Sequence, residues 1–478
     1  MRRLALCSLF VIAAACSTND NVGPRSSFTA DQAAAARAAC QFTSGTLPGL
    51  SLAKDAPLGK QIPIDTIVVL MFENRSFDHL LGHLPDVGVT DVDVAPQNAS
   101  NPASNGTNVP WYHDNTYCFC DTNHEWTGSH DEYDNGKNDG FVKANENNGG
   151  CPPDGTRAMS YYTKDDLPYV YDLAKTFSVS DRNFCSLLGP TFPNREYLYA
   201  ATSYGMTYNQ IFDKGDPKST VMELLDNGKV TWADYYEGVP NMGIFLVNLS
   251  AHFDNAVLYK NHFLQDAAAG TLPPVVFLDP NTRDEYGGGD DFHPPGDPQE
   301  GEAFLKQALD ALMQSPQWPH MAVFITFDEN GGLYDHVAPP AACPPDNIAA
   351  IVQPGGVQAG FDRYGFRVPL IVVSPYAKPG HVSHVVSDHT SILRFIEARF
   401  NLPSMTARDA NADPLFDMFD FSKPALLTPP QLAQPNLDQA KLTACTNEFP
   451  DKPIFPDGGA MDLATPDLAE PVDGGATD

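Results

Sequence analysis

The feature that most restricts the fold is a short, almost unbroken apolar run, Thr66-Ile67-Val68-Val69-Leu70-Met71-Phe72, which gives way at once to Glu73-Asn74. A run this short, β-branched and continuous has no polar face to offer water. It predicts a strand buried on both sides, of the kind found inside parallel sheets. Similar runs recur at residues 275–278, 321–327 and 368–373, with helical patterns between or after them at 301–313 and 389–400. Strands alternating with helices predict the α/β class, with one large, mostly parallel β-sheet flanked by helices. Residues 87–153, rich in Asn, Asp, Gly and Tyr, interrupt the pattern and read as a long irregular insertion, the kind of loop that usually carries function or is disordered.

The ends of the chain read differently. Arg2 and Arg3 precede an apolar run from Leu4 that closes in Ala13-Ala14-Ala15-Cys16. Residues 1–16 therefore read as an export signal, too short to span a bilayer as a folded helix. The cysteine after three alanines also fits a bacterial lipoprotein signal. There Cys16 would be lipidated and anchor the chain to the cell envelope; otherwise the protein is secreted. Residues 17–58 are expected to form an N-terminal tether, with a short helix over 30–39 that Thr29 and Gln32 cap. Residues 59–428 form the main domain, and 429–478 a C-terminal extension. From Pro450 onward seven acids and one lysine stand among Pro, Gly and Ala, so the tail is expected to be disordered.

Charge narrows the partners. Sixty Asp and Glu against 29 Lys and Arg give a formal net charge of −31, which argues against nucleic acid and against broad adhesion to anionic lipid. One phosphate in a metal-lined pocket remains compatible, because a metal inverts the local sign. Without Cys7 and Cys16, seven cysteines remain, so at least one is free or paired elsewhere. Cys118 and Cys120 are too close for ordinary zinc ligation and suit disulfides to separate partners.

The chemistry gathers at strand ends, where open α/β sheets bind ligands. VVLMF runs into Glu73-Asn74, and VFITF into Asp328-Glu329-Asn330. Carboxylate and amide oxygens at one sheet edge suit a hard divalent cation of unreadable identity. The plainer reading is that these residues cap the next helices. Thr191 lies on a stiff Gly189-Pro190-Thr191-Phe192-Pro193 turn, with Arg195 four residues on. A hydroxyl held there can act as a nucleophile and the guanidinium as a phosphate clamp, although a structural ion pair explains Arg195 equally well. His124, His293 and His336 lie on polar or Gly/Pro-rich segments, where protonated imidazoles can neutralise phosphoryl oxygens or protonate a leaving alkoxide.

ENRSFDHLLG at 73–82, NGKNDGF at 135–141, GPTFPNR at 189–195, FDENGGLYDHV at 327–337, RVPLIVVSPY at 367–376 and DHTSILRFIE at 388–397 together resemble the bacterial phosphoesterase family. That family joins phospholipases C of the phosphatidylcholine-hydrolysing type with certain acid phosphatases. The resemblance implies an alkaline-phosphatase-like sandwich, with 59–428 as its catalytic domain. It implies metal binding at Glu73, Asn74, Asp328 and Glu329, with Thr191 as nucleophile and further metal contact. It also implies that His124, His293 and His336 line a phosphate pocket. The implied reaction passes through a covalent phospho-enzyme that water hydrolyses. Three functions follow: a phospholipase C-like phosphodiesterase, an acid phosphatase on the same site, or a catalytically silent ligand-binding surface lipoprotein.

Overall fold

The computed structural model describes residues 23–148, 153–213, 217–282 and 289–450. The expected signal segment and Cys16, and the acidic tail from residue 451, lie outside them.

Eight strands build the main sheet: β1 (Thr66–Phe72), β2 (Ser178–Ser180), β3 (Trp232–Tyr236), β4 (Ala256–Leu258), β5 (Val275–Asp279), β6 (Met321–Phe327), β7 (Leu370–Val373) and β8 (Val382–Ser383). Their order is β8-β2-β7-β6-β1-β5-β3-β4. Neighbours run parallel except at β7, which is antiparallel to both β6 and β2. The sheet is therefore mostly parallel, as the unbroken apolar runs require. β1 and β6 are buried at every position and pair in register from Thr66↔Met321 to Phe72↔Phe327. Equal register makes the strands end together, so Glu73 and Asp328 emerge side by side at one edge.

Helices flank the sheet: α1 (Ala30–Ala38), α2 (Trp126–Tyr133), α3 (Thr191–Ala200), α4 (Pro298–Gln314), α5 (His389–Phe400) and α6 (Gln439–Glu448). α4 starts where Asp297 accepts from the Gln299 N–H and Pro298 takes the first turn, and it buries Phe304, Leu305, Ala308, Leu309 and Leu312 along one stripe. Among the described residues no helix is long and apolar enough to cross a membrane.

Two expectations about the ends need correction. Residues 23–58 are not a tether. The capping box of Thr29 and Gln32 forms α1 as expected, but Ala33 and Ala36 are buried, and Leu52 and Leu58 join the main core. Arg37 pairs with Asp413 at 2.9 Å, and Cys40 is disulfide-bonded to Cys343. Small side chains allow this close packing where the low apolar content suggested a linker. The extension also begins folded. α6 is capped by Asp438 and tied to the main domain by a Cys118–Cys445 disulfide. Cys120 is disulfide-bonded as well, so the two near-adjacent cysteines do serve separate partners. Cys185 is free and buried.

The Cys40–Cys343 link closes a separation of 303 residues, and such a cross-link acts mainly by restricting the unfolded chain. The Cys40→Ala/Cys343→Ala variant is expected to lose about 2–4 kcal/mol in denaturant titrations, while keeping its far-ultraviolet dichroism.

Candidate active site

Backbone geometry draws three segments together at the β1–β6 edge. Asn74 adopts a left-handed conformation (φ 59°) that turns its N–H onto Asp328 Oδ1 at 3.0 Å. Asn tolerates this region better than most side chains. After β6 the chain turns through Gly331 (φ 63°) and Gly332 (φ 67°). A Cβ on Gly331 would lie 2.3 Å from the Asn74 carbonyl, and one on Gly332 would lie 2.6 Å from the Asn123 carbonyl. Only glycine lets one loop touch both neighbours. Thr122 Oγ1 donates to the Gly331 carbonyl. His124 thereby reaches the edge, its Nε2 3.3 Å from Asn74 Nδ2 and its Nδ1 2.7 Å from the Thr122 carbonyl.

A fourth segment is pinned from below. The Glu73 N–H donates to the Asp291 carbonyl (2.9 Å), and Arg75 Nε to the Phe292 carbonyl (2.8 Å). Phe292 packs edge-on against Phe72 and Phe327, the last residues of β1 and β6. His293 follows, its ring centroid 6.1 Å from that of His124. Asp121, His124 and His293 each place a possible ligand atom within 4.8 Å of the others. Beside them a cleft of about 390 Å³ is lined by Asp121, His124, Glu125, Pro295 and Phe449, among others.

α3 supplies the fifth element. Asn194 fixes its start, accepting from the Ser186 and Leu187 N–H groups and donating to the Gly189 carbonyl. Thr191 opens the helix, 5 % exposed. Arg195, one turn later on the same face, is fully buried. It donates through Nη2 to Glu73 Oε1 at 2.8 Å, and its Nε lies 3.5 Å from Asp328 Oδ2. The guanidinium is thus held by two carboxylates, which is the ion-pair reading of Arg195 rather than an open phosphate clamp. Burial alone would lower its pKa, but Glu73 and Asp328 raise it above the usual value.

The remaining oxygens fit a cation. Among the described residues Asn74 Oδ1, Asp328 Oδ2 and Glu329 Oε1 are buried with no hydrogen-bond donor. Glu73, Asp328 and Glu329 outnumber the Arg195 cation that pairs with the first two, and carboxylate-rich oxygen sets of this kind suit a divalent ion. Burial, opposed by His124 and reinforced by Asp328, holds Glu329 well above the normal carboxyl range. At His124 burial alone would lower the pKa, but Asp121, Glu329 and Glu125 push it up to about 10. Nε2 accepts from the Asn74 amide only in the neutral ring; protonation requires that amide to present its oxygen instead.

His336 is not part of this group. Its Nδ1 lies 2.6 Å from Asp78 Oδ2 and its Nε2 3.1 Å from Asp93 Oδ1, within a separate cluster that Arg367 completes through Asp78 and Asp335. An imidazole with both nitrogens engaged this way is a structural cation. Three residues absent from the expectations join the site: Asp121, 3.5 Å from His124 Nδ1; Asp291, which accepts from the His293 N–H; and buried Glu132, which Asn145 and Asn330 hold. The D-x-x-H and D-x-H spacings were visible signals for the first two. Nothing marked Glu132.

Two tests follow. Arg195→Ala leaves Glu73 and Asp328 buried without their cation and is expected to cost about 3–5 kcal/mol in denaturant titration, part of which added divalent metal restores. For His336, burial lowers the pKa, but Asp78 and Asp335 outweigh it and raise it from 6.5 to about 9. A raised histidine pKa stabilises the fold fully below the unfolded value and ceases to do so as pH rises through the folded one. The stability gap between wild type and His336→Gln should therefore narrow as pH climbs from about 6.5 to about 9; a constant gap would contradict this.

Comparison with known proteins agrees with the motifs. A sequence profile described as the Phosphoesterase family matches residues 64–403. Non-specific phospholipase C1 of Arabidopsis thaliana is 35% identical over 376 residues, covering 73% of this chain and 70% of that protein. Phospholipase C B of Mycobacterium tuberculosis is 33% identical over 470 residues, covering 86% and 88%. A solved structure of a protein in the alkaline phosphatase superfamily from Vibrio parahaemolyticus aligns with a TM-score of 0.36 at 11% identity, covering 70% of this chain and 76% of that one.

Proposed function

The chain belongs to the phosphoesterase family, and from that premise we propose that this phosphate-ester hydrolase cleaves phosphodiesters in the manner of a phospholipase C, with Thr191 as nucleophile. The observation that carries this reading is the set of donor-less buried oxygens on Asn74, Asp328 and Glu329, lying at the edge where Arg195 fastens α3 to Glu73 and Asp328.

Glu73, Asn74, Asp328 and Glu329 would hold a divalent cation, with Thr191 adjoining it. Bound there, such an ion supplies a Lewis acid that stabilises the deprotonated hydroxyl and the charge on the phosphoryl group. The chain's own groups do the rest. The Pro190-Thr191 turn presents Oγ1 from the first residue of α3, with little freedom to wander. Oγ1, its proton released to solvent, attacks phosphorus as the bond to the leaving alcohol breaks. His293 donates a hydrogen bond to a phosphoryl oxygen, as does protonated His124 once its Nε2 exchanges the Asn74 amide for substrate, and an imidazole gives its proton to the departing alkoxide. Water then releases phosphate monoester from Thr191 and regenerates the hydroxyl. Arg195 acts through Glu73 and Asp328, whose positions it fixes.

The names of the relatives, together with the apolar walls that Pro295 and Phe449 give the cleft, favour a phospholipid diester over a phosphate monoester. An acid phosphatase on the same residues is the alternative. Export, with or without a lipid anchor at Cys16, belongs to the same proposal and draws support from the Cys40–Cys343 and Cys118–Cys445 disulfides, which persist in oxidising compartments.

Purified protein assayed with phosphatidylcholine, p-nitrophenylphosphorylcholine and p-nitrophenyl phosphate, across pH and added metals, separates the readings. Diester turnover should exceed monoester turnover and be abolished by a chelator. Thr191→Ala should lower kcat by at least about 10³-fold, and His124→Asn or His293→Asn by about 10²–10⁴-fold. Full activity of Thr191→Ala on every substrate would overturn the mechanism.

A further inference from the structure

Two loops on this acidic chain carry no side chain that is charged at neutral pH. Residues 202–212 (TSYGMTYNQIF) and 347–361 (NIAAIVQPGGVQAGF) contain neither Asp, Glu, Lys, Arg nor His. The fold brings them together. The Ile351 N–H donates to the Gly205 carbonyl at 2.7 Å, Thr207 Oγ1 donates to the Ile351 carbonyl at 2.7 Å, and Met206 and Ile351 form a parallel bridge. A Cβ on Gly205 would lie 3.0 Å from Ile348 and 3.4 Å from Ile351, so both isoleucines cover that glycine. They are nevertheless 43% and 45% exposed, and Ile211 on the first loop is 40% exposed.

The paired loops join the active-site segments on two sides. Residues 202–209 return along α3, so that Asn209 Oδ1 accepts from the N–H of Phe192, the residue after Thr191 (2.9 Å). The second loop reaches α2, where the Val357 carbonyl accepts from the Trp126 indole (2.9 Å), two residues beyond His124. Asp346, at the start of the second loop, is turned inward by Thr202 Oγ1 (2.6 Å) and the Ile348 N–H (2.8 Å), whereas Asp213 and Asp362, at the far ends of the two loops, are exposed. A cation lies alongside: the Lys218 ammonium sits 5.4 Å and 5.6 Å from the centroids of the Tyr204 and Phe212 rings.

We propose that the paired loops, centred on Ile348 and Ile351, are the surface that seats the enzyme on a phospholipid layer. A net charge of −31 gives the acidic surface no net attraction to zwitterionic phosphatidylcholine headgroups, which leaves apolar burial as the driving force. The uncharged stretch centred on Ile348 and Ile351, with Lys218, Asp213 and Asp362 among the described residues at its margins, is where apolar burial is gained. Continuity with Phe192 and Trp126 puts the layer next to the residues that act on the ester. This deepens the phospholipase C reading and rests on it for the substrate's location.

The test uses the full chain, large unilamellar phosphatidylcholine vesicles and soluble dihexanoylphosphatidylcholine below its micellar concentration. Ile348→Asp/Ile351→Asp should lower both vesicle co-sedimentation and hydrolysis of vesicle lipid by about tenfold or more, with turnover of the soluble ester unchanged. Ile351→Ser, which removes apolar area without adding charge, should give a smaller loss in the same direction and guards against misfolding of the double variant. Leu258→Asp, at an exposed leucine on the edge strand β4, should change neither. Retained vesicle binding in both patch variants, equal loss in Leu258→Asp, or a wild-type dimer that the double variant splits without loss of vesicle binding would each overturn the proposal. Co-sedimentation requires no turnover. If no lipid is cleaved but vesicle binding still follows Ile348 and Ile351, the activity reading falls while the surface stands.

Discussion

A buried guanidinium organises the active edge. Glu73 and Asp328 leave neighbouring parallel strands at the same height, and two carboxylates so placed repel each other in a medium that screens poorly. Arg195 resolves the conflict from the first turns of α3. The ion pair therefore has a geometric product beyond charge balance: it sets where α3 begins, and so where Thr191 stands. Removing two ions from water is expensive, and the gain from pairing them seldom exceeds that cost by much. Its presence here is better understood as positioning than as stability.

The rest of the site hangs on backbone contacts too close for ordinary side chains. Gly331 against Asn74 and Gly332 against Asn123 lock three loops into one body, and the Phe292 ring under Phe72 and Phe327 adds a fourth. Each of these contacts fixes a segment that carries one of the candidate site residues. The His336 cluster shows the opposite use of charge. There each carboxylate oxygen of Asp78 and Asp335 already accepts a hydrogen bond. Two ionic clusters of similar composition thus differ in whether their acceptors are already filled.

Much of this was legible in the chain. β1 and β6 span the residues that their apolar runs marked out, because strands buried on both faces admit no polar interruption. α5 and the α1 capping box were equally plain. The short strands β2, β4 and β8 were not visible, since two or three residues carry no periodicity; their place comes from pairing with neighbours. Residues 23–58 misled because alanine and serine have little hydropathy yet pack closely enough to be buried. At the site, the residue types at strand ends marked out Glu73, Asn74, Asp328 and Glu329, which the fold brings to one edge, whereas the partner of Arg195 could not be known before the strands had a register. His336 illustrates the same limit: a Tyr-Asp-His motif gives a residue's chemistry but not its neighbours.

The C-terminal helix has a topological consequence. Because the Cys118–Cys445 link holds α6 against the insertion and Phe449 lines the cleft, the C-terminal helix borders the candidate active site. A label attached on α6 would therefore sit beside that cleft, so the choice of labelling position is also a choice about access to it.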